Sequence, residues 1–175
     1  MPSMDIHAIN AFKPIRFVAK SEVRSWPIFG WMALQLRTVF IRRDSQRHAH
    51  LVVGEMSREL KSDSICIFPE GTSTDGVSVR PFKPNLFESA IVGNIPVCSL
   101  AIRYISKETG LRTDAAAFVG DMGLLESMSK ILRSRNLIVE LSFFPTPITS
   151  SEQILDRKYL AQYSENLIRS HLEAA

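Results

Sequence analysis

Glu70 is the residue whose type and setting first suggest chemistry. It stands in Phe68-Pro-Glu-Gly-Thr-Ser-Thr-Asp-Gly76, directly after the apolar run Ser64-Ile-Cys-Ile-Phe68. Pro69 has no N–H to extend a strand ladder and Gly71 permits a tight turn, so Glu70 is expected at the C-terminal end of a strand. In open α/β sheets ligands bind at that rim. A carboxylate there can accept hydrogen bonds from a substrate or hold a catalytic loop, and the cations Arg80 and Lys83 follow closely in sequence. Taken alone, the run reads first as a turn that merely ends a strand. The four histidines (His7, His48, His50, His171) and two cysteines (Cys66, Cys98) show no metal-ligand spacing. Both cysteines lie in apolar runs, where a free thiol behaves as a small buried hydrophobe.

The elements that must position Glu70 follow an α/β pattern, with short β-branched or aromatic runs alternating with stretches of helical period. The strand candidates are Ile15 to Ala19, Thr38 to Arg42, Ser64 to Phe68, Val97 to Tyr104 and Leu137 to Phe144. One helix is expected from about Gln46 to Leu60, with Val52, Met56 and Leu60 four apart on one face. A second is expected from about Pro84 to Val92, stopped by Gly93, and a third from about Ser151 to the C-terminus, with Leu160, Leu167, Ile168 and Leu172 on one stripe. With 175 residues, 45% of them hydrophobic and 22% charged, the chain has the size and composition of one globular domain.

The net charge of +3 is unevenly spread: residues 1 to 50 carry eight Lys or Arg against three acids, which is +5, and the remainder carries −2. A basic front third suits a phosphate-bearing substrate, an anionic membrane surface or nucleic acid, and equally a solvated charged face. Within it, Ser25-Trp-Pro-Ile-Phe-Gly-Trp-Met-Ala-Leu34 concentrates aromatic residues beside positive charge. That pattern fits either a membrane interface or a buried helix. No stretch approaches the ~18 to 20 apolar residues needed to cross a bilayer, and the first residues lack the features of a secretion signal. The expectation is a soluble or peripheral protein in a reducing setting.

Phe68-Pro-Glu-Gly-Thr72 resembles the third conserved block of the glycerol-phosphate and lysophosphatidate acyltransferase family, and other blocks occur in the matching order. Val39-Phe-Ile-Arg-Arg43 is similar to the second block. Phe17-Val-Ala-Lys-Ser-Glu22, with Pro27 and Gly30, is similar to the stretch before it. Pro81-Phe-Lys83 with Phe87 resembles the segment after the third block, and Ile95-Pro-Val97 with Ala101-Ile-Arg-Tyr104 resembles the fourth. The likeness covers roughly residues 5 to 145, and ordered blocks are far more specific than one pentapeptide.

This resemblance implies an α/β fold with a mixed central sheet flanked by helices. It implies transfer of a fatty acyl group from acyl-CoA or acyl-carrier protein to the hydroxyl of a lysophospholipid or lyso-ornithine lipid. No cofactor is bound in such a scheme, no metal is used and nucleic acid is not a partner; contact is peripheral, at the cytoplasmic face of the membrane. Asp5 and Glu70 are the implied catalytic residues; Arg43, Phe68, Pro69, Gly71, Thr72 and Lys83 are the implied substrate contacts. In the family a histidine precedes the aspartate by five positions, removing the proton of the acceptor hydroxyl while the carboxylate orients the imidazole. Met4-Asp-Ile-His-Ala-Ile9 aligns with that aspartate and the helix after it, and counting back from Asp5 reaches the position before Met1.

The expectation is therefore a single acyltransferase domain over residues 1–175 that lacks its N-terminal portion, with a catalytically inactive lipid-binding homologue as the alternative. His7, two residues beyond Asp5, would point to a different side of a helix. His7, His48, His50 and His171 are read as surface or packing residues. Ser73 stands where relatives with phosphate-bearing acceptors commonly have arginine, and replacing that bidentate group weakens the case for lysophosphatidate. Arg43, Arg80 and Lys83 can still bind a phosphate, so the acceptor stays open between the two lipids.

Overall fold

The structure is a computed structural model and describes residues 3–25, 27–35, 38–41, 63–71, 78–113, 136–146 and 156–174. Its elements run in the order α1 (Ser3–Phe12), β1 (Arg16–Lys20), α2 (Pro27–Gln35), β2 (Val39–Ile41), β3 (Ile65–Cys66), α3 (Glu88–Gly93), β4 (Cys98–Ser106), β5 (Leu137–Pro145) and α4 (Arg157–Glu173). Helices combine with parallel and antiparallel strand pairs, the α/β architecture expected. The helix expected over Gln46 to Leu60 lies outside the described residues.

β1 is the middle strand of a parallel set in the order β2-β1-β3, with Val18 opposite Val39 and Phe17 opposite Cys66. Parallel strands covered on both faces read as continuous apolar runs, as Ile65–Phe68 does. Phe17 is buried at 2% exposure and its ring stacks on that of Phe68, 6.2 Å away and 10° from parallel, which draws the chain leaving β3 over the sheet. β4 and β5 form an antiparallel ribbon paired from Cys98 opposite Pro145 to Ser106 opposite Leu137. Arg103 and Glu140 face each other across it in an ion pair of 2.5 Å.

α1 packs through one face. Ile9 is buried, Asp5 lies one turn before it on the same side, and His7 points to solvent, as its spacing from Asp5 required. The Asn10 side chain accepts the Ile15 N–H at 3.0 Å and turns the chain into β1. α2 forms within the tryptophan-rich segment. At Gly30 a Cβ would collide with the Arg24 carbonyl, so glycine lets this helix lie directly on the 3-10 turn Ser21–Ser25. Its other side leaves Trp31 63% and Leu34 50% exposed, so α2 is not a wholly buried helix. Among the described residues no helix is long and apolar enough to cross a membrane.

A hydrophobic cluster lies behind the Phe68–Gly71 turn, made of Phe82, Phe87, Leu160 and Ala161, with Val79 and Ile168 packed against it. Burying a phenylalanine stabilises by about 2–3 kcal/mol, and two of them fasten the 79–87 segment to α4. The helix expected from Pro84 begins instead as a 3-10 turn, Pro84–Leu86, and becomes α-helical only from Glu88. Its left-handed cap is Asn94, at φ 50°, rather than Gly93, which is the last helical residue. Asn tolerates that conformation because its short polar side chain can bond locally.

Candidate active site

Two carboxyl groups define the site. Asp5 comes from the first turn of α1, where the helix dipole favours negative charge, and Glu70 from the turn after β3. The Tyr104 hydroxyl, on β4, donates to Asp5 Oδ1 at 2.6 Å and so joins α1 to the antiparallel ribbon. Burial pushes the Asp5 carboxyl above its ordinary value of 3.8, with the Tyr104 hydrogen bond pulling the other way. The Tyr104 phenol is itself raised, first by burial and then by the Asp5 charge, so it stays protonated and remains a donor.

Glu70 is half-buried, and burial raises its carboxyl also. The Arg80 N–H, donating to Glu70 Oε2 at 3.2 Å, and the Arg80 charge draw it back; the charges of Asp5 and Glu165 push it up. The Asp5 charge is thus a minor influence on Glu70, after burial and Arg80. Cys66 on β3 belongs to the same neighbourhood. Burial and then the Asp5 charge push its thiol up to about 12, so it stays protonated and is inert as a nucleophile.

The turn that carries Glu70 is closed by the Gly71 N–H donating to the Phe68 carbonyl at 3.1 Å. Gly71 adopts φ +71°, and a Cβ there would stand 2.6 Å from Lys83 Nζ. The Lys83 N–H in turn donates to the Pro69 carbonyl at 3.0 Å. Of the implied substrate contacts, Phe68, Pro69, Gly71 and Lys83 are therefore gathered at one place beside Glu70. Arg43 and Thr72 lie outside the described residues, as does Ser73. Gly71→Ala is expected to destabilise the chain by about 1–2 kcal/mol, through the left-handed backbone, and to displace the Lys83 ammonium. A thermal melt that matches the parent would show that the turn can change conformation without cost.

Three residues entered the site that spacing had not assigned to it. Tyr104 was visible as the end of an apolar strand and of the fourth block, with no role assigned, and its partner is 99 positions away. Arg80 was a possible phosphate contact, yet here its backbone N–H holds Glu70. Glu165 is a buried carboxylate on a helix face that should be apolar. His171 packs against the Phe144 ring, at 4.9 Å and close to edge-on, as a packing histidine should.

The candidate site thus has one carboxyl from the first turn of α1, tied to β4, and one from the Phe68–Gly71 turn after β3. The Acyltransferase family model matches residues 3–103, and the chain belongs to that family. Over 166 residues it is 36% identical to the lyso-ornithine lipid O-acyltransferase of Pseudomonas aeruginosa, covering 94% of this chain and 62% of that protein. Over 168 residues it is 33% identical to the 1-acyl-sn-glycerol-3-phosphate acyltransferase of Neisseria gonorrhoeae, covering 95% and 64% respectively. Its fold is similar to the crystal structure of the 1-acyl-sn-glycerophosphate acyltransferase PlsC of Thermotoga maritima, with a TM-score of 0.59 at 24% identity, over 98% of this chain and 61% of that one. The chain thus spans somewhat less than two thirds of the length of these relatives.

Proposed function

We propose that this chain is the catalytic core of an O-acyltransferase that moves a fatty acyl group from an acyl thioester, acyl-CoA or acyl-carrier protein, to the free hydroxyl of a lyso-lipid. The acceptor is a lyso-ornithine lipid or a lysophospholipid, met at the membrane surface. The observation that carries this reading is the Tyr104–Asp5 hydrogen bond of 2.6 Å, which joins α1 to β4. It ties the aspartate of the first family block to the fourth block.

In the reaction, a general base takes the proton of the acceptor hydroxyl, whose oxygen attacks the thioester carbonyl. The C–S bond then breaks and the leaving thiolate receives that proton. Asp5 orients that base and stabilises its charged form. Glu70 and its turn receive the acceptor, with Arg43, Arg80 and Lys83 available to a headgroup anion.

The test uses the protein as encoded. It is mixed with labelled acyl-CoA or acyl-carrier protein and, in separate arms, lyso-ornithine lipid or lysophosphatidate. Labelled product in one arm supports the reading and names the acceptor. Binding of both lyso-lipids with no transfer from either donor would leave the non-catalytic lipid-binding alternative in its place. Glu70→Ala is expected to raise the KM for the acceptor about tenfold. Glu70→Gln keeps an acceptor for the Arg80 N–H, so near-parent kinetics would assign Glu70 to loop support. A loss equal to that of the alanine variant would assign its charge to the acceptor.

A further inference from the structure

α4 reaches the site through two side chains. Glu165 and Arg169 lie one helical turn apart and pair, Arg169 Nη2 to Glu165 Oε1, at 2.7 Å. The other Glu165 oxygen, Oε2, accepts the buried Phe82 N–H at 3.0 Å, and Arg169 Nη2 also donates to the Val79 carbonyl at 2.9 Å. One ion pair therefore grips the 79–82 backbone at both ends. Between those grips lies Arg80, whose N–H holds Glu70, and directly after them comes Lys83, whose N–H holds Pro69.

Burying a carboxylate is expensive unless it is paired and hydrogen-bonded, and the Glu165 side chain is only 10% exposed. An apolar residue would pack this helix face at least as well against Phe82 and Phe87. What an apolar residue cannot do is fix the register of 79–82 against the Glu70 turn. The pair also lies outside the 3–103 span that matches the family model.

We propose that Glu165 and Arg169 are positioning residues for acceptor binding, acting through the 79–82 backbone on Glu70 and Lys83. The proposal rests on the acyltransferase reading above. Misplacing binding groups from a distance costs about tenfold or more. Glu165→Ala and Arg169→Ala are each expected to raise the lyso-lipid KM by about tenfold, while the acyl thioester KM stays within about twofold. The double variant should be no worse than either single one, because the pair acts as a unit. Glu165→Gln keeps an acceptor for the Phe82 N–H and should recover most of the loss. Gln162→Ala, on the exposed side of α4, should match the parent.

A purely structural tie predicts something else: lower melting temperatures, less active protein and no selective change in either KM. That pattern would overturn the proposal. If the alanine variants show no cooperative melt, Arg169→Lys, which loses the planar fork shared between Glu165 and the Val79 carbonyl, carries the same KM comparison in folded protein. Absence of transfer by the parent protein would instead count against the acyltransferase reading, and it would be seen before any variant is made.

Discussion

Replacing Asp5 with asparagine is expected to abolish acyl transfer and, at neutral pH, to make the 175-residue chain more stable. The loss of activity follows from the orienting role proposed for it. An amide keeps the shape and still accepts from Tyr104, but it cannot stabilise a protonated base, and such a change in an acid–base–orienter set costs about 10⁴-fold in kcat. The gain in stability follows from burial, which holds the Asp5 carboxyl above its ordinary 3.8. A group whose folded value is raised favours the folded state most when protonated. Its contribution is fully present below the ordinary carboxylate value and is lost as pH rises through the raised one. Once deprotonated, the parent carboxyl is a charge the fold disfavours, and the amide removes it. Melting curves should therefore separate by a few degrees at pH 7 and converge below about pH 4. A lower melting temperature for the asparagine variant at pH 7 would mean that Asp5 is a structural anchor.

Glu70 shows the same sign, since burial raises it too. Two carboxyls whose burial disfavours their charged forms are hard to explain as products of packing alone. Perturbed groups of this kind mark functional sites more often than chance. Cys66 completes the contrast: with its thiol pushed up to about 12 it contributes bulk and no charge.

Much of this was legible in the sequence, for reasons that particular residues make clear. The strands were legible because β-branched and aromatic runs have no competing helical period; the expected Leu137 to Phe144 is observed as Leu137–Pro145. The Glu70 turn was legible because Pro69 and Gly71 each act locally through the backbone. Where positions failed, the cause was either a local cap preference or a distant partner. Asn94 displaced Gly93 as the helix cap, because the last turn of α3 needs a left-handed residue one position later. Only Leu160 of the stripe proposed for α4 is fully buried, and Ala161, Ser164 and Glu165 are buried with it. An apolar search discards Ser164 and Glu165 by type, although Glu165 is satisfied by the Phe82 N–H 83 positions earlier. Tyr104 was hidden in the same way, as an aromatic strand residue whose hydroxyl finds its acceptor in the first turn of the chain.

Tyr104→Phe tests that long-range contact directly. Removing the hydroxyl leaves a largely buried carboxylate one donor short, which costs about 1–3 kcal/mol of stability at neutral pH. The lost hydrogen bond is also the interaction with Tyr104 that lowers the Asp5 carboxyl, so its titration should move further up. If Asp5 must be ionised to orient the base, the acid limb of the kcat/KM profile should shift to higher pH by a measurable amount, and the plateau should fall because the orienter is no longer held. The stability half of the prediction can be isolated with Asp5→Asn as the background. There the acceptor is a neutral amide, whose unmade hydrogen bond costs less than that of a charged group. Tyr104→Phe should therefore destabilise the asparagine variant clearly less than it destabilises the parent, and the difference is the coupling between the two side chains. Equal destabilisation in the two backgrounds, together with an unshifted acid limb, would separate Tyr104 from the catalytic carboxylate and leave it a packing residue of β4.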